Sequence, residues 1–127
     1  YAISTLRELI DENPEHSLVW IMGSDAFGAI DSWYQWEDFI KMINIIVMVR
    51  PNHEIPIESE AYKLLQKSHT IDKNSLSSGN EKILLLKIRP IEISSTDIRN
   101  KIYKGSDVSE FLLEEVNELI NKGNLYQ

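Results

Sequence analysis

An α/β fold, a parallel sheet flanked by helices, is the architecture this sequence predicts, and three observations predict it. Two short apolar runs, Leu18-Val19-Trp20-Ile21-Met22 and Ile45-Ile46-Val47-Met48-Val49, show no alternation with polar residues. Strands buried on both faces of a parallel sheet read this way. A third run, Ile83-Leu84-Leu85-Leu86-Lys87-Ile88, behaves similarly, and segments of helical spacing lie between the runs. Finally, small, hydroxyl or charged residues follow each run, and open α/β sheets bind ligands at the carboxyl ends of their strands.

In chain order, Ile3, Leu6, Leu9 and Ile10 recur at helical spacing, so residues 3 to 12 read as a helix with one buried stripe. Asn13-Pro14 ends it. The first strand follows and stops at Gly23-Ser24-Asp25. Residues 26 to 30 suit a short helical turn. Ser32 is positioned to cap a helix running through Trp36, Phe39, Ile40 and Ile43. Trp33, Tyr34 and Trp36 cannot all face one side of a helix, so at least one belongs on a rim or in a pocket. Trp36 is expected in the core with Phe39 and Ile40. For Trp33, capping the helix end and facing a rim or pocket both stand.

The second strand ends at Arg50-Pro51-Asn52-His53, and Pro51 and Pro56 favour an extended loop. Residues 60 to 66 suit a short helix. Residues 67 to 81, polar and with Ser75, Ser77, Ser78 and Gly79, read as a loop. After the third strand and Pro90 comes Ile93-Ser94-Ser95-Thr96-Asp97-Ile98-Arg99. It opens a helix that carries Ile98 and Ile102 on one face and ends at Gly105. Phe111, Leu112, Val116, Leu119 and Ile120 mark a last helix closed by Lys122-Gly123. Three strands are few for an open sheet, and the chain opens on Tyr1 at what already reads as a helix start. Residues 1–127 are therefore expected to form one α/β domain that is part, about the second half, of a longer one.

Composition narrows the function. The 127 residues are 43% hydrophobic and 26% charged, in the range of a globular domain. A net charge of −7 argues against a nucleic-acid surface. No apolar run approaches the length of a membrane span. The absence of cysteine excludes disulfide and thiolate chemistry and fits a reducing, cytoplasmic setting. Self-association is left open.

The segment from Ile93 to Arg99 supports two readings. The first amides of a helix lack internal partners and carry partial positive charge. Ser94, Ser95 and Thr96 add hydroxyl donors and Arg99 a charged planar fork, which together suit phosphate. Ser94-x-x-Asp97 is equally the pattern of a capping box. His16, His53 and His69 are isolated in sequence and are read as surface residues.

With these residues placed, the sequence resembles the bacterial nicotinate-nucleotide adenylyltransferases of the nucleotidylyltransferase superfamily. Four stretches carry the resemblance: Tyr1-Ala2-Ile3-Ser4-Thr5-Leu6, Ile21-Met22-Gly23-Ser24-Asp25-Ala26-Phe27, Trp33-Tyr34-Gln35-Trp36, and Ile93 to Arg99. The resemblance implies a Rossmann-like fold and transfer of AMP from ATP to nicotinate mononucleotide, with Mg²⁺ accompanying ATP and no protein ligand for the metal identifiable. It places Ile93, Ser94, Ser95, Thr96, Arg99 and Asp25 at ATP. It places Trp33, Tyr34, Asp25 and Arg50 at nicotinate mononucleotide, with Trp33 stacked on the pyridine and the amides of Trp33 and Tyr34 near its carboxylate. The family's Gly-rich turn bearing a His-x-Gly-His-like pair is absent from this sequence, so no catalytic residue is assigned in it. The rival readings are another adenylyltransferase of the superfamily, of the phosphopantetheine type, and a non-catalytic α/β interaction domain.

Overall fold

The computed structural model describes all residues, 1–127. Its backbone groups into two compact units, Tyr1–Pro90 and Ile91–Gln127.

In the first unit, helix α1 (Ala2–Glu12) leads into strand β1 (Val19–Gly23), and α2 (Ser24–Gly28) follows at once. A 3-10 turn over Ile30–Ser32 precedes α3 (Trp36–Met42). Then come β2 (Asn44–Val49), α4 (Glu60–Ser68), β3 (His69–Thr70) and β4 (Ile83–Lys87). The strands form one sheet in the order β1-β2-β4-β3, and every pair is parallel. The expected α/β architecture with a parallel sheet is therefore present. The fourth strand lies within the stretch read as a loop: α4 runs on to Ser68, and His69 and Thr70 pair with Ile83 and Leu84.

Strand alternation explains where the core sits. Trp20 pairs with Ile45, which pairs with Ile83; Met22 pairs with Val47, which pairs with Leu85. Period-2 geometry puts these six side chains on one face. There they pack with Ile3 and Leu6 of α1, Phe27 of α2, Phe39 of α3 and Ala61 of α4. Fully burying each of the larger side chains contributes about 1.5–3 kcal/mol. The opposite face is more open: Ile21 is 59% and Leu86 43% exposed. Burial on both faces, expected for the first two strands, therefore fails for β1, an edge strand whose Ile21 lies on that opposite face.

The expected start of α3 is also corrected. Ser32 does not cap it, because its hydroxyl donates to the Ala29 carbonyl at 2.6 Å inside the 3-10 turn. The chain instead enters α3 through Gln35, whose φ of 53° and ψ of 41° are left-handed. The Trp36 amide donates back to the Trp33 carbonyl at 3.2 Å, so residues 33 to 36 form a tight turn. Asn44, fully buried at the start of β2, donates to the Leu76 and Gly79 carbonyls and accepts from the Lys82 amide. That anchors the polar stretch between β3 and β4.

The second unit holds α5 (Ser95–Tyr103), a 3-10 turn over Ser109–Phe111, and α6 (Glu114–Lys122). Ile102, Val108 and Ile120 form its core, with Ile98, Phe111 and Leu112 packed against them. α5 ends at Gly105, φ +72°, as expected. The Gly105 amide donates to Ile102 and the Ser106 amide to Lys101, a Schellman closure in which the left-handed residue is most easily a glycine. No helix is long and apolar enough to cross a membrane.

Candidate functional site

Within the first unit, the ends of β1 and β2 bring Gly23, Ser24, Asp25 and Arg50 together. The register sets this: Gly23 pairs with Met48, so Ser24 and Arg50 emerge side by side just beyond the paired backbone. Asp25, in the first turn of α2, reaches the Arg50 guanidinium at 3.8 Å, and both side chains are about half exposed. An exposed pair at that distance is weak, so both groups stay available to a charged ligand. Gly23 permits the arrangement, because a Cβ there would lie 2.6 Å from Asp25 Oδ1 and 3.8 Å from the Arg50 Cζ.

Trp33 and Tyr34 follow in the turn before α3. The Trp33 ring is half-buried and meets Trp20 and Phe39 edge-on, with centroids 6.3 and 5.5 Å away. Its remaining surface, with Tyr1, Ala2, Ser32 and Tyr34, lines an open recess of about 280 Å³. Tyr34 is on the rim, its ring centroid 4.6 Å from that of Tyr1. Trp33 does not cap α3, whose N-cap is Gln35; it lies in the turn before the helix, partly buried against the core and facing the recess. The Trp33 amide already donates to the Ile30 carbonyl at 2.9 Å, which leaves the Tyr34 amide as the donor at this turn. Trp36 packs partly buried against the core. His16, His53 and His69 are exposed.

In the second unit, the capping box is present. Ser94 Oγ accepts from the Asp97 amide at 3.1 Å, and Asp97 Oδ2 accepts from the Ser94 amide at 2.9 Å and the Ser94 hydroxyl at 2.6 Å. The hydrogen bonds from the Ser94 hydroxyl and then its amide hold the Asp97 carboxyl below its ordinary value, so it is charged at the helix start. Ser94 therefore serves the cap. The amides of Ser95 and Thr96 have no intrahelical acceptor. Arg99 reaches back one turn and donates to Thr96 Oγ1 at 3.2 Å, and Ile93 is half-buried just before the cap. The free anion donors of this helix start are thus the Ser95 and Thr96 amides, the Ser95 and Thr96 hydroxyl hydrogens and the Arg99 fork.

The donor set does not fit a metal centre held by protein. No three His, Asp or Glu side chains converge well enough to bind an ion, and Asp25 faces a guanidinium. No local pattern signals that Tyr1 lies at the recess or Ser24 behind Arg50. Both depend on register and on a turn between distant residues.

A parallel sheet with its helices packed on the core face, and Gly23, Asp25 and Arg50 gathered at the carboxyl ends of its strands, is the α/β class of protein that opens its ligand sites at those ends. The sequence matches the model of the cytidylyltransferase-like family over residues 3–101, and the chain belongs to that family. Among its relatives are proteins named as probable nicotinate-nucleotide adenylyltransferases. The protein from Marinobacter nauticus is 32% identical over 99% of this chain and 59% of its own length. The protein from Pseudoalteromonas atlantica is 30% identical over all of this chain and 58% of its own length. The chain thus spans about three-fifths of the length of these curated relatives. The solved nicotinic acid mononucleotide adenylyltransferase of Plasmodium falciparum, complexed with APC, superposes with a TM-score of 0.60 at 22% identity, over 95% of this chain and 55% of that one. That similarity shows a shared fold.

Proposed function

We propose that the whole protein is a nicotinate-nucleotide adenylyltransferase, and that residues 1–127 are part of its single nucleotidylyltransferase domain. The observation that carries this reading is the recess lined by Trp33, Tyr34 and Tyr1, a flat aromatic pocket suited to a pyridine ring. It occurs in a chain whose curated relatives bear the name of that reaction.

In this reading Trp33 stacks on the nicotinate ring, and the Tyr34 amide donates to its carboxylate. Arg50 draws the mononucleotide's phosphate, and Asp25 lies beside the nucleotides at the strand end. The Ser95 and Thr96 amides, the Ser95 hydroxyl and the Arg99 fork hold the triphosphate of ATP. Ile93 borders the adenine, and Ser94 acts by capping the helix that presents these donors. A phosphate oxygen of nicotinate mononucleotide attacks the α-phosphorus of ATP. The new P–O bond forms as the bond from the α-phosphorus to the bridging oxygen of the β-phosphate breaks, and pyrophosphate leaves. No covalent intermediate with the protein is needed, so the protein's work is alignment and charge stabilisation. Mg²⁺ accompanying ATP would supply charge neutralisation at the triphosphate, and no residue of this chain is assigned to hold it. The site is cytoplasmic and needs neither nucleic acid nor membrane.

The His-bearing turn of the family is not among these residues, so residues 1–127 alone bind the substrates weakly and turn nothing over. A turnover assay with nicotinate mononucleotide and ATP, run on residues 1–127 and on the whole protein, tests this. Activity in the whole protein alone is expected, and comparable rates in both contradict it.

A further inference from the structure

Ser24 is only 1% exposed, and it occupies the middle position of the Gly23-Ser24-Asp25 turn. Its hydroxyl oxygen accepts the Arg50 amide hydrogen at 3.2 Å. The bond joins the ends of β1 and β2 beyond their last backbone pair, Gly23 with Met48: Ser24 is one residue past Gly23 and Arg50 two past Met48. Arg50 is held at two further points. Its carbonyl accepts from the His53 amide at 3.2 Å, which closes a turn through Asn52 at φ 62°. Its guanidinium lies over Gly23, 3.8 Å from Asp25. Of the three restraints, the hydroxyl is the buried one, and a weak exposed ion pair cannot replace it.

We propose that Ser24 is a positioning residue: by anchoring the Arg50 main chain it keeps the guanidinium over Gly23, and through Arg50 it sets the affinity for the phosphate of the mononucleotide substrate. This rests on the function proposed above, in which Arg50 meets that phosphate. Without the anchor, the turn that carries Arg50 gains freedom, and each binding event must then restrict it. Ser24 makes no substrate contact itself. Losing one hydrogen bond of this kind weakens mononucleotide binding by about threefold to tenfold and leaves ATP binding unchanged.

A double-mutant cycle in the whole protein tests it. Nicotinate mononucleotide affinity is measured for the parent, Ser24→Ala, Arg50→Ala and the double variant, and hydrogen exchange is followed at the Arg50 amide. The expected result is faster exchange in Ser24→Ala, with weaker binding that disappears as an effect once Arg50 is already alanine. Equal losses from Ser24→Ala in both backgrounds overturn the proposal, because a merely structural role acts independently of Arg50. Unchanged exchange at the Arg50 amide overturns it too. If the parent binds no mononucleotide while the exchange result is as expected, the functional reading falls, and the role in affinity with it, but the anchor itself stands. Should Ser24→Ala not fold, Ser24→Cys, similar in size but a weaker acceptor, replaces it in the same cycle.

Discussion

Trp33 meets Phe39 edge-on, with ring centroids 5.5 Å apart and planes inclined at 61°. This contact lets a side chain next to an open recess keep a fixed orientation. One part of the indole is locked into the core by Phe39 and Trp20, and the rest remains available for stacking.

Replacing Trp33 by alanine should weaken nicotinate mononucleotide binding in the whole protein by about 1–3 kcal/mol, the scale of aromatic stacking on a base. ATP binding should barely change. Some fold stability is lost as well, because two edge-on aromatic contacts disappear. Calorimetric titration with each ligand checks this, and equal losses for both ligands would contradict the assigned role.

Gly23→Ala should separate folding from binding. The Gly23 backbone, φ −78° and ψ 159°, is one that alanine adopts readily. The added Cβ would, however, sit 2.6 Å from the Asp25 carboxylate and drive it away from Arg50. Stability should remain within about 1 kcal/mol of the parent, while mononucleotide affinity falls. Denaturant melts read beside a binding titration decide the matter; unchanged affinity would show that the placement of Asp25 is immaterial.

Arg99→Lys keeps the charge but exchanges a planar fork for a point charge. ATP use should suffer through a higher KM, a lower kcat or both. The Thr96 hydroxyl, 3.2 Å from the guanidinium, helps orient the fork and cannot do the same for an ammonium on a flexible stem. Steady-state kinetics with ATP varied would expose the error if both constants matched the parent.

Asp97 gives the start of α5 a pH dependence. Its ordinary value is 3.8, and the Ser94 hydroxyl and amide lower it in the folded state. A carboxyl depressed on folding stabilises the fold above its unfolded pKa, and the contribution disappears as pH falls through the folded value. The Ser94 amide resonance should therefore titrate with a midpoint below 3.8 and become insensitive in Asp97→Asn. A midpoint at or above 3.8 in the parent would contradict the capping geometry.

Features set by nearest neighbours in sequence were legible before any coordinates. The Ser94–Asp97 box is an i, i+3 pattern, Gly105 follows the last periodic residue of its helix, and the apolar runs mark three strands. What escaped depends on pairing. His69 and Thr70 are too few and too polar to signal a strand, and only Ile83 and Leu84 opposite them make one. Ile21 belongs to an unbroken apolar run, yet a run says nothing about whether a covering layer lies on each face. Ser32 fits a cap by type, but the left-handed Gln35, which no propensity signals, moves the helix start by several residues. At the candidate site, Asp25, Trp33, Tyr34 and Arg50 could be named from residue types and resemblance. The burial of Ser24 beneath the Arg50 amide follows from the β1–β2 register, which no local pattern encodes.

The central claim, that this chain carries the pyridine pocket and the triphosphate-binding helix of a nicotinate-nucleotide adenylyltransferase, is tested most directly by product analysis. The whole protein is given ATP with an equal mixture of nicotinate mononucleotide and phosphopantetheine, and products are followed by phosphorus resonance. The account predicts that nicotinate adenine dinucleotide and pyrophosphate appear together while phosphopantetheine persists. Consumption of phosphopantetheine instead, or of neither acceptor, would contradict it.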